Sequence, residues 1–400
     1  INDGDTVYGR VTLDYCDYDP CASDWLDLGS TAITITPGQS RIISIAAAEV
    51  PSNIDNYILL LSMTETWLLD SNSGGIIRPD GFDIRFVSDA TGSAPFVPQW
   101  DVEKYDGTTG ELVAWIKIPT LYSSAVTSFV IGYGDPANTK YEGAPDLVWA
   151  DYTFVMHMND QSYWSAAGTD LTITEAGDGT GVVDLAAGKI GGGQEFVNLT
   201  ESGFVISGVQ ANGIFDPSST SFTLQTLTYA TGYQDDYASL LQYTDAGRTG
   251  GLDLIQYGTG SYSNNSIRMH NFGTEVFDVW SNVNTRPDNQ WNFNTMVFDM
   301  SGTGPYDGVA PAATNYVNGV ASTSSPSTAS LAVGNSPDVA SDWAIIGADG
   351  RYVDGGADYR WTGYIDEFRF RKSVISADQI DVEYRNYNSP ATFYTIGAEQ

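Results

Sequence analysis

Short runs in which apolar and polar residues alternate recur along almost the whole chain, and turn-forming residues close each of them. Glu111–Ile118, Ser128–Tyr133, Phe222–Thr228, Asn294–Met300 and Tyr364–Phe370 are representative, with Thr31–Thr36 and Asp83–Val87 as shorter examples. A period of two turns alternate side chains to one side of a pleated strand, so such segments become stable by stacking one sheet face on another. Helical periodicity is nearly absent. Its best instance is Ser376–Tyr384, where Ser376 is placed to cap a helix and Ile380 and Tyr384 lie four apart. The spacing predicts an all-β protein.

A chain of 400 residues exceeds the roughly 250–300 at which a single core stops growing, so two β units are expected. Residues 1–40 read as an N-terminal arm, 41–150 as a β-sandwich domain and 151–400 as a larger sandwich, with a join near Glu142–Asp146 that contains Gly143 and Pro145. Residues 301–340 read as surface loops around one strand, Thr314–Val320. The chain's 2 cysteines, Cys16 and Cys21, both fall in Cys-Asp-Tyr-Asp-Pro-Cys. A local disulfide is expected there, closing a short loop and contributing about 2 kcal/mol. Free thiols are the other reading, and zinc is a poor one because no histidine lies nearby.

Charge narrows the partners. The chain has 17 Lys and Arg against 50 Asp and Glu, a net charge of -33. A surface this acidic repels phosphate backbones, so nucleic acid and anionic lipid are excluded, while divalent cations and neutral glycans remain open. The longest apolar stretches, such as Tyr57–Leu61, are strand-length, so no membrane span is expected. The chain begins at Ile1 and not at Met, as a trimmed precursor would.

Two sets of motifs carry a resemblance. Ile76-Ile77-Arg78-Pro79-Asp80-Gly81-Phe82-Asp83-Ile84-Arg85-Phe86, Gly110-Glu111-Leu112-Val113-Ala114-Trp115-Ile116-Lys117-Ile118-Pro119 and Gly132-Tyr133-Gly134-Asp135-Pro136 resemble an uncharacterised extracellular domain of bacteria, archaea and phages (domain of unknown function 2341). Gly188-Lys189-Ile190-Gly191-Gly192, Phe222-Thr223-Leu224, Trp291 with Met296-Val297-Phe298-Asp299, Tyr316-Val317-Asn318-Gly319 and Gly363-Tyr364-Ile365-Asp366-Glu367-Phe368-Arg369-Phe370 resemble a laminin-G-like, concanavalin A-like jelly-roll sandwich. That resemblance implies two antiparallel sheets, export, and a role in adhesion or glycan binding. Asn318-Gly319 is in addition a type I′ hairpin signal.

On the strand Tyr364–Phe370, strict alternation puts Tyr364, Asp366, Phe368 and Phe370 on one face and Ile365, Glu367 and Arg369 on the other. Asp366 then shares a face with aromatics, as Asp160 does after Phe154, Met156 and Met158. Pairing of the first and last strands of the sandwich would bring Asp160 and Asp366 together. With Asn159 and backbone carbonyls they would make a structural Ca²⁺ site; strand-end carboxylates bonded to backbone are the other reading. His157 reads as a satisfied structural histidine, and His270 as solvent-facing. Aromatic platforms beside polar groups suit a sugar, and Trp280, Trp343, Tyr352, Asp354, Tyr359 and Trp361 are the candidates, with Trp361 also readable as core.

Enzymatic signatures are missing. Retaining glucanases need two carboxylates about 5 Å apart, and alternation sends Asp366 and Glu367 to opposite faces. The expectation is therefore a non-enzymatic extracellular surface protein, on a cell or virion, that binds a glycan or a surface protein through its lectin-like domain. A self-associating filament or capsid subunit is the alternative, with the arm before residue 40 as the pairing strand, and a glycoside hydrolase comes third.

Overall fold

The computed structural model describes residues 40–400 except 93–94, 136, 160–162, 166–170, 177–181, 186–187, 197–202, 210–212, 216–220, 232–237, 245–249, 258–263, 272–273, 281–286, 300–311, 323–327, 330–342 and 349–360. The arm with Cys16 and Cys21, and the strand expected at Thr31–Thr36, lie outside the described residues. The fold is all-β, as the alternation predicts, and the described residues form four sheets. No helix of the described residues is long and apolar enough to cross a membrane.

The first unit stacks two sheets. One runs in the order Thr395–Ile396, Ser40–Ile45, Thr127–Gly132, Arg85–Ser88; the other in the order Ile54–Thr64, Glu111–Leu121, Gln99–Asp106. Ile43, Phe86, Phe129 and Ile131 meet Tyr57, Leu59, Leu61, Leu112 and Ile116 between them.

The second unit is the larger sandwich. Its nine-stranded sheet runs Val182–Leu185, Gly193–Phe196, Gly363–Arg371, Phe222–Ala230, Trp291–Asp299, Ala312–Val317, Val320–Ala321, and Phe154–Met156 and Trp164–Ser165 add on beside Gly363–Arg371. Its eight-stranded sheet runs Thr328–Ala329, Thr274–Trp280, Asn264–Asn271, Gly250–Tyr257, Ala238–Thr244, Trp343–Ile346, Gly203–Ser207, Thr172–Ala176. Phe154, Phe222, Met296, Phe298, Phe368 and Phe370 of the first sheet pack on Phe204, Leu241, Leu252, Leu254 and Ile346 of the second. Asn318 (φ 52°) and Gly319 (φ 78°) make the tight turn of the hairpin closed by Val317 and Val320, with positive φ at both positions as a type I′ turn requires.

The two units share a third apolar layer. Ile58, Leu60, Val113 and Trp115, on the far face of the three-stranded sheet, meet Leu227, Phe293 and Val297 of the nine-stranded sheet. Both faces of the three-stranded sheet are thus buried. That is why Tyr57–Leu61 is continuously apolar instead of alternating.

The tail corrects the expected boundary, which gave residues 151–400 wholly to the second unit. The helix Ala377–Asn388 starts at its expected cap, with Ser376 Oγ accepting from the Gln379 N–H at 3.1 Å. From there the chain returns to the first unit: Val382, Phe393 and Tyr394 enter its core, and Thr395–Ile396 pairs antiparallel with Ser40–Ile45. The tail also seals the open edge of Ile54–Thr64. Asn386 accepts from the Leu60 N–H (2.8 Å) and donates to the Leu60 carbonyl (3.0 Å), so its amide stands in for a neighbouring strand. Tyr394 Oη does the same for Ser62, accepting from its N–H at 3.1 Å and donating to its carbonyl at 2.7 Å.

Removing the Asn386 amide leaves both Leu60 backbone groups buried without partners. Asn386→Ala is expected to lower stability by about 3 kcal/mol and Tyr394→Phe by about 1–2 kcal/mol, against less than about 0.5 kcal/mol for the exposed Val374→Ser. Denaturant unfolding of the full chain measures all three, and a loss under about 1 kcal/mol at Asn386 would show that the tail does not close this edge.

Candidate functional site

The seam between the units holds a cluster of charged residues that strict alternation does not foresee. Along Gly363–Arg371 the register with Phe222–Ala230 runs Leu227↔Asp366 and then Thr226↔Phe368, so Glu367 is an extra, unpaired residue with φ 52°. It is a β-bulge, which resets the alternation. Ile365, Phe368 and Phe370 enter the sandwich core, while Asp366, Glu367 and Arg369 all stand on the seam side. This overturns the expectation that Asp366 shares a face with Phe368 and Phe370 and that Glu367 lies opposite it. A second bulge sits across the seam, where Val102 pairs with Ala114 and Lys104 with Val113, leaving Glu103 as the extra residue. Glu103 and Lys104 thus both face the second unit, and Lys104 Nζ donates to the Gly191 carbonyl at 2.9 Å.

His157 sits between the two bulges. Its Nδ1 lies 2.9 Å from Glu367 Oε1 and 3.5 Å from Glu103 Oε2, and its ring stacks on Trp115 with centroids 5.6 Å apart and planes 11° from parallel. The Trp115 Nε1–H donates to Glu103 Oε2 at 2.9 Å. Arg369 donates to Glu367 Oε2 from Nε (2.9 Å) and Nη2 (2.5 Å) and to Tyr387 Oη from Nη1 (3.0 Å), and its guanidinium lies 4.0 Å from the Trp115 ring centroid. Asp366 Oδ2 accepts from the Ile190 N–H at 2.8 Å, and its Oδ1 is buried with no partner.

The sequence-derived candidates divide. Phe154–Met156 does pair with Gly363–Arg371, with Phe154 opposite Phe370 and Met156 opposite Phe368, as the expected first-to-last pairing requires. Asp160 lies outside the described residues, so of the calcium pair only Asp366 is placed, and the groups gathered near it are Glu367 and Glu103. Tyr352, Asp354 and Tyr359 also lie outside the described residues. Trp361 is not an exposed platform: it is 0% exposed within the sandwich core.

Trp343 and Trp280 are strand residues of the eight-stranded sheet. Leu252 and Leu254 are core. Register aligns Ile345, Gln242, Asp253, Arg268, Asp278 and Thr328 in a row across the strands, with the Ile345 and Gln242 end buried at 0% and 1% exposure. Trp343 and Trp280 lie two residues along their strands from Ile345 and Asp278, on opposite sides of the row. At about 4.8 Å per strand and 3.4 Å per residue they stand on the order of 20–25 Å apart. Asp253, Arg268 and Asp278 escaped the sequence reading, although the Leu252-Asp253-Leu254 alternation carried the signal for the first of them. His270 pairs in register with Gly251 and Glu275.

Comparison with known proteins supports this reading of the fold. Residues 206–381 match the family model described as concanavalin A-like lectin/glucanases superfamily, and this part of the chain is a concanavalin A-like domain. The match starts beyond the first unit. Domain 4 of AbnA, a GH43 extracellular arabinanase from Geobacillus stearothermophilus solved with arabinotriose, is 16% identical over 58% of this chain and 97% of that one, with a TM-score of 0.37. The botulinum neurotoxin type G receptor binding domain is 13% identical over 59% of this chain and 51% of that one (TM-score 0.38). The binding domain of Paraclostridial Mosquitocidal Protein 1 is 12% identical over 60% of this chain and 52% of that one (TM-score 0.38). The match thus spans about half the length of these two toxin domains. No curated protein matches the chain.

Burial, reinforced by the neighbouring Glu367 and Asp366 carboxylates, pushes the Glu103 carboxyl well above its ordinary value, and burial with the Glu367 charge does the same to Asp366. Burial also works to raise Glu367, but His157 and Arg369 outweigh it and hold that carboxyl below its ordinary value. A raised carboxyl contributes stability that is complete below the unfolded value, about 4, and is lost as pH climbs through the folded value; a lowered one contributes in the opposite sense. In metal-free buffer the thermal midpoint is therefore expected to fall from about pH 5 to pH 8, with Glu103→Gln removing part of the fall. Identical slopes for parent and variant would show that the seam does not hold these protons.

Proposed function

We propose that this chain is a non-enzymatic extracellular surface protein that binds carbohydrate through the outer face of its eight-stranded sheet. The observation that carries the reading is the row Asp253, Arg268, Asp278, flanked by Trp280 and Trp343, inside a concanavalin A-like domain. Flat aromatic surfaces suit the apolar faces of sugar rings, and an array of carboxylate, amide and guanidinium groups suits their hydroxyls. The sandwich's other outer face is committed to the first unit. Among the described residues, no strand of the eight-stranded sheet joins the seam's apolar layer. The diagonal separation of the two tryptophans favours an extended oligosaccharide laid across the strands over a single sugar.

Binding without turnover is supported by where the perturbed acids sit. A glycosidase needs one carboxyl held protonated beside an ionised one, both in reach of the sugar. The raised carboxyls Glu103 and Asp366 have side chains 0% exposed, sealed between the units. The net charge of -33 supports a neutral or cationic glycan as partner, and an exported location fits the resemblance of both units to extracellular domains. In this reading the first unit is a rigid spacer.

A glycan array on the full chain followed by titration of the best ligand tests the proposal. Trp280→Ala, Trp343→Ala and Arg268→Ala are each expected to weaken binding about tenfold or more, equivalent to about 1.4 kcal/mol, without releasing reducing sugar in any variant. An array with no bound glycan, or three variants that bind like the parent, removes carbohydrate from the account.

A further inference from the structure

Ligand atoms of Glu103, His157 and Glu367 all lie within 4.8 Å of one another. The Nδ1 of His157 stands 2.9 Å from one carboxylate oxygen and 3.5 Å from the other. In a tetrahedral site with bonds of about 2.0–2.1 Å, neighbouring ligand atoms stand about 3.3 Å apart, so these separations already bracket the spacing around such an ion. The charges point the same way. Glu103, Asp366 and Glu367 bring three carboxylates together, and among the described residues Arg369 is the guanidinium that answers them. The lysine ammonium groups nearby donate elsewhere: Lys104 to the Gly191 carbonyl and Glu111, Lys189 to the Asn388 carbonyl. Arg369 takes Glu367 Oε2 and leaves Oε1 toward His157. Independently of the three, Asp366 is 0% exposed and its Oδ1 has no partner, and a buried carboxylate oxygen is stable only when hydrogen-bonded, paired or metal-bound.

We propose that Glu103, His157 and Glu367 bind one divalent transition cation at the seam, with water in the open position. One imidazole nitrogen with carboxylate oxygens suits zinc or a neighbouring first-row ion, whereas Ca²⁺ takes 6–8 oxygens. The site differs from the calcium pair expected at Asp160 and Asp366 in its ion and in its central ligands. Glu103 belongs to the first unit and His157 and Glu367 to the second, so the ion clamps one to the other.

The test strips the full chain with chelator, removes the chelator and titrates with Zn²⁺, Ca²⁺ and Co²⁺. The expected result is one Zn²⁺ per chain, a higher thermal midpoint with Zn²⁺ than with Ca²⁺, and visible d–d absorption from bound Co²⁺. His157→Gln and Glu103→Gln are each expected to weaken Zn²⁺ binding by more than the roughly 10–100-fold typical of losing a supporting partner, and to abolish the Co²⁺ bands. The bands report ligation even where a variant's stability shifts, and circular dichroism confirms that each variant is folded. No retained Zn²⁺ and no Co²⁺ bands in the parent overturn the site, as does Zn²⁺ binding that both variants keep. A midpoint that answers pH but not Zn²⁺ means that protons alone balance the acids, and overturns it equally.

Discussion

Trp115 is gripped from the opposite unit by two groups at once. The Arg369 guanidinium lies 4.0 Å from its ring centroid, and the His157 imidazole stacks on it at 5.6 Å. A guanidinium this deeply buried survives only with its charge answered, and Glu367, two residues away on the same strand, answers it. Tyr387 of the tail helix takes a further guanidinium N–H. Arg369 therefore ties together the nine-stranded sheet, the three-stranded sheet and the tail helix. Each of these elements has a second face or edge committed to another core, so disturbing this contact disturbs both sandwiches.

The path of the chain makes the same point at larger scale. The first unit is begun by residues 40–150, but it lacks a cover for the edge of Ile54–Thr64 and an outer strand beside Ser40–Ile45 until the tail arrives. Those pieces come from the far end of the sequence, after the whole concanavalin A-like sandwich. Its contacts are thus long-range, which slows folding because loop closure precedes the reward. The first core is completed by Val382, Phe393 and Tyr394 from beyond the second unit.

Much of this was legible in the sequence. The alternating runs foretold the sheets, Ser376 the start of the tail helix, and Asn318-Gly319 a hairpin turn, because each is decided by chemistry within a few residues. The bulges were not legible. A single extra residue at Glu367 moves Asp366 from the aromatic face to the seam, and no glycine advertises it; Glu367 itself adopts φ 52°, a conformation that costs a non-glycine residue of order 1–3 kcal/mol and persists only when its surroundings hold it. Glu103 had no local signal either, since its partners across the seam lie some fifty and more than two hundred residues away. The platform reading of Trp361 failed for a different reason, and its core reading held. Its polar, glycine-rich neighbourhood resembled a binding loop, yet a large apolar ring is stabilised more by burial in the nearby core than by exposure.

Two broad apolar sheet faces can pack in more than one register, because apolar contact is not directional. The seam resolves that ambiguity with groups that are satisfied in one arrangement only. Sliding the sheets by one residue would part His157 and Asn159 from Glu103 and Lys104 from the Gly191 carbonyl together, leaving several buried polar groups without partners at about 1–3 kcal/mol each. Buried charge of this kind does little for net stability compared with an apolar replacement. Its effect is to fix orientation: with the seam in a single register, the row Asp253, Arg268, Asp278 on the far sheet is carried at one angle to the first unit.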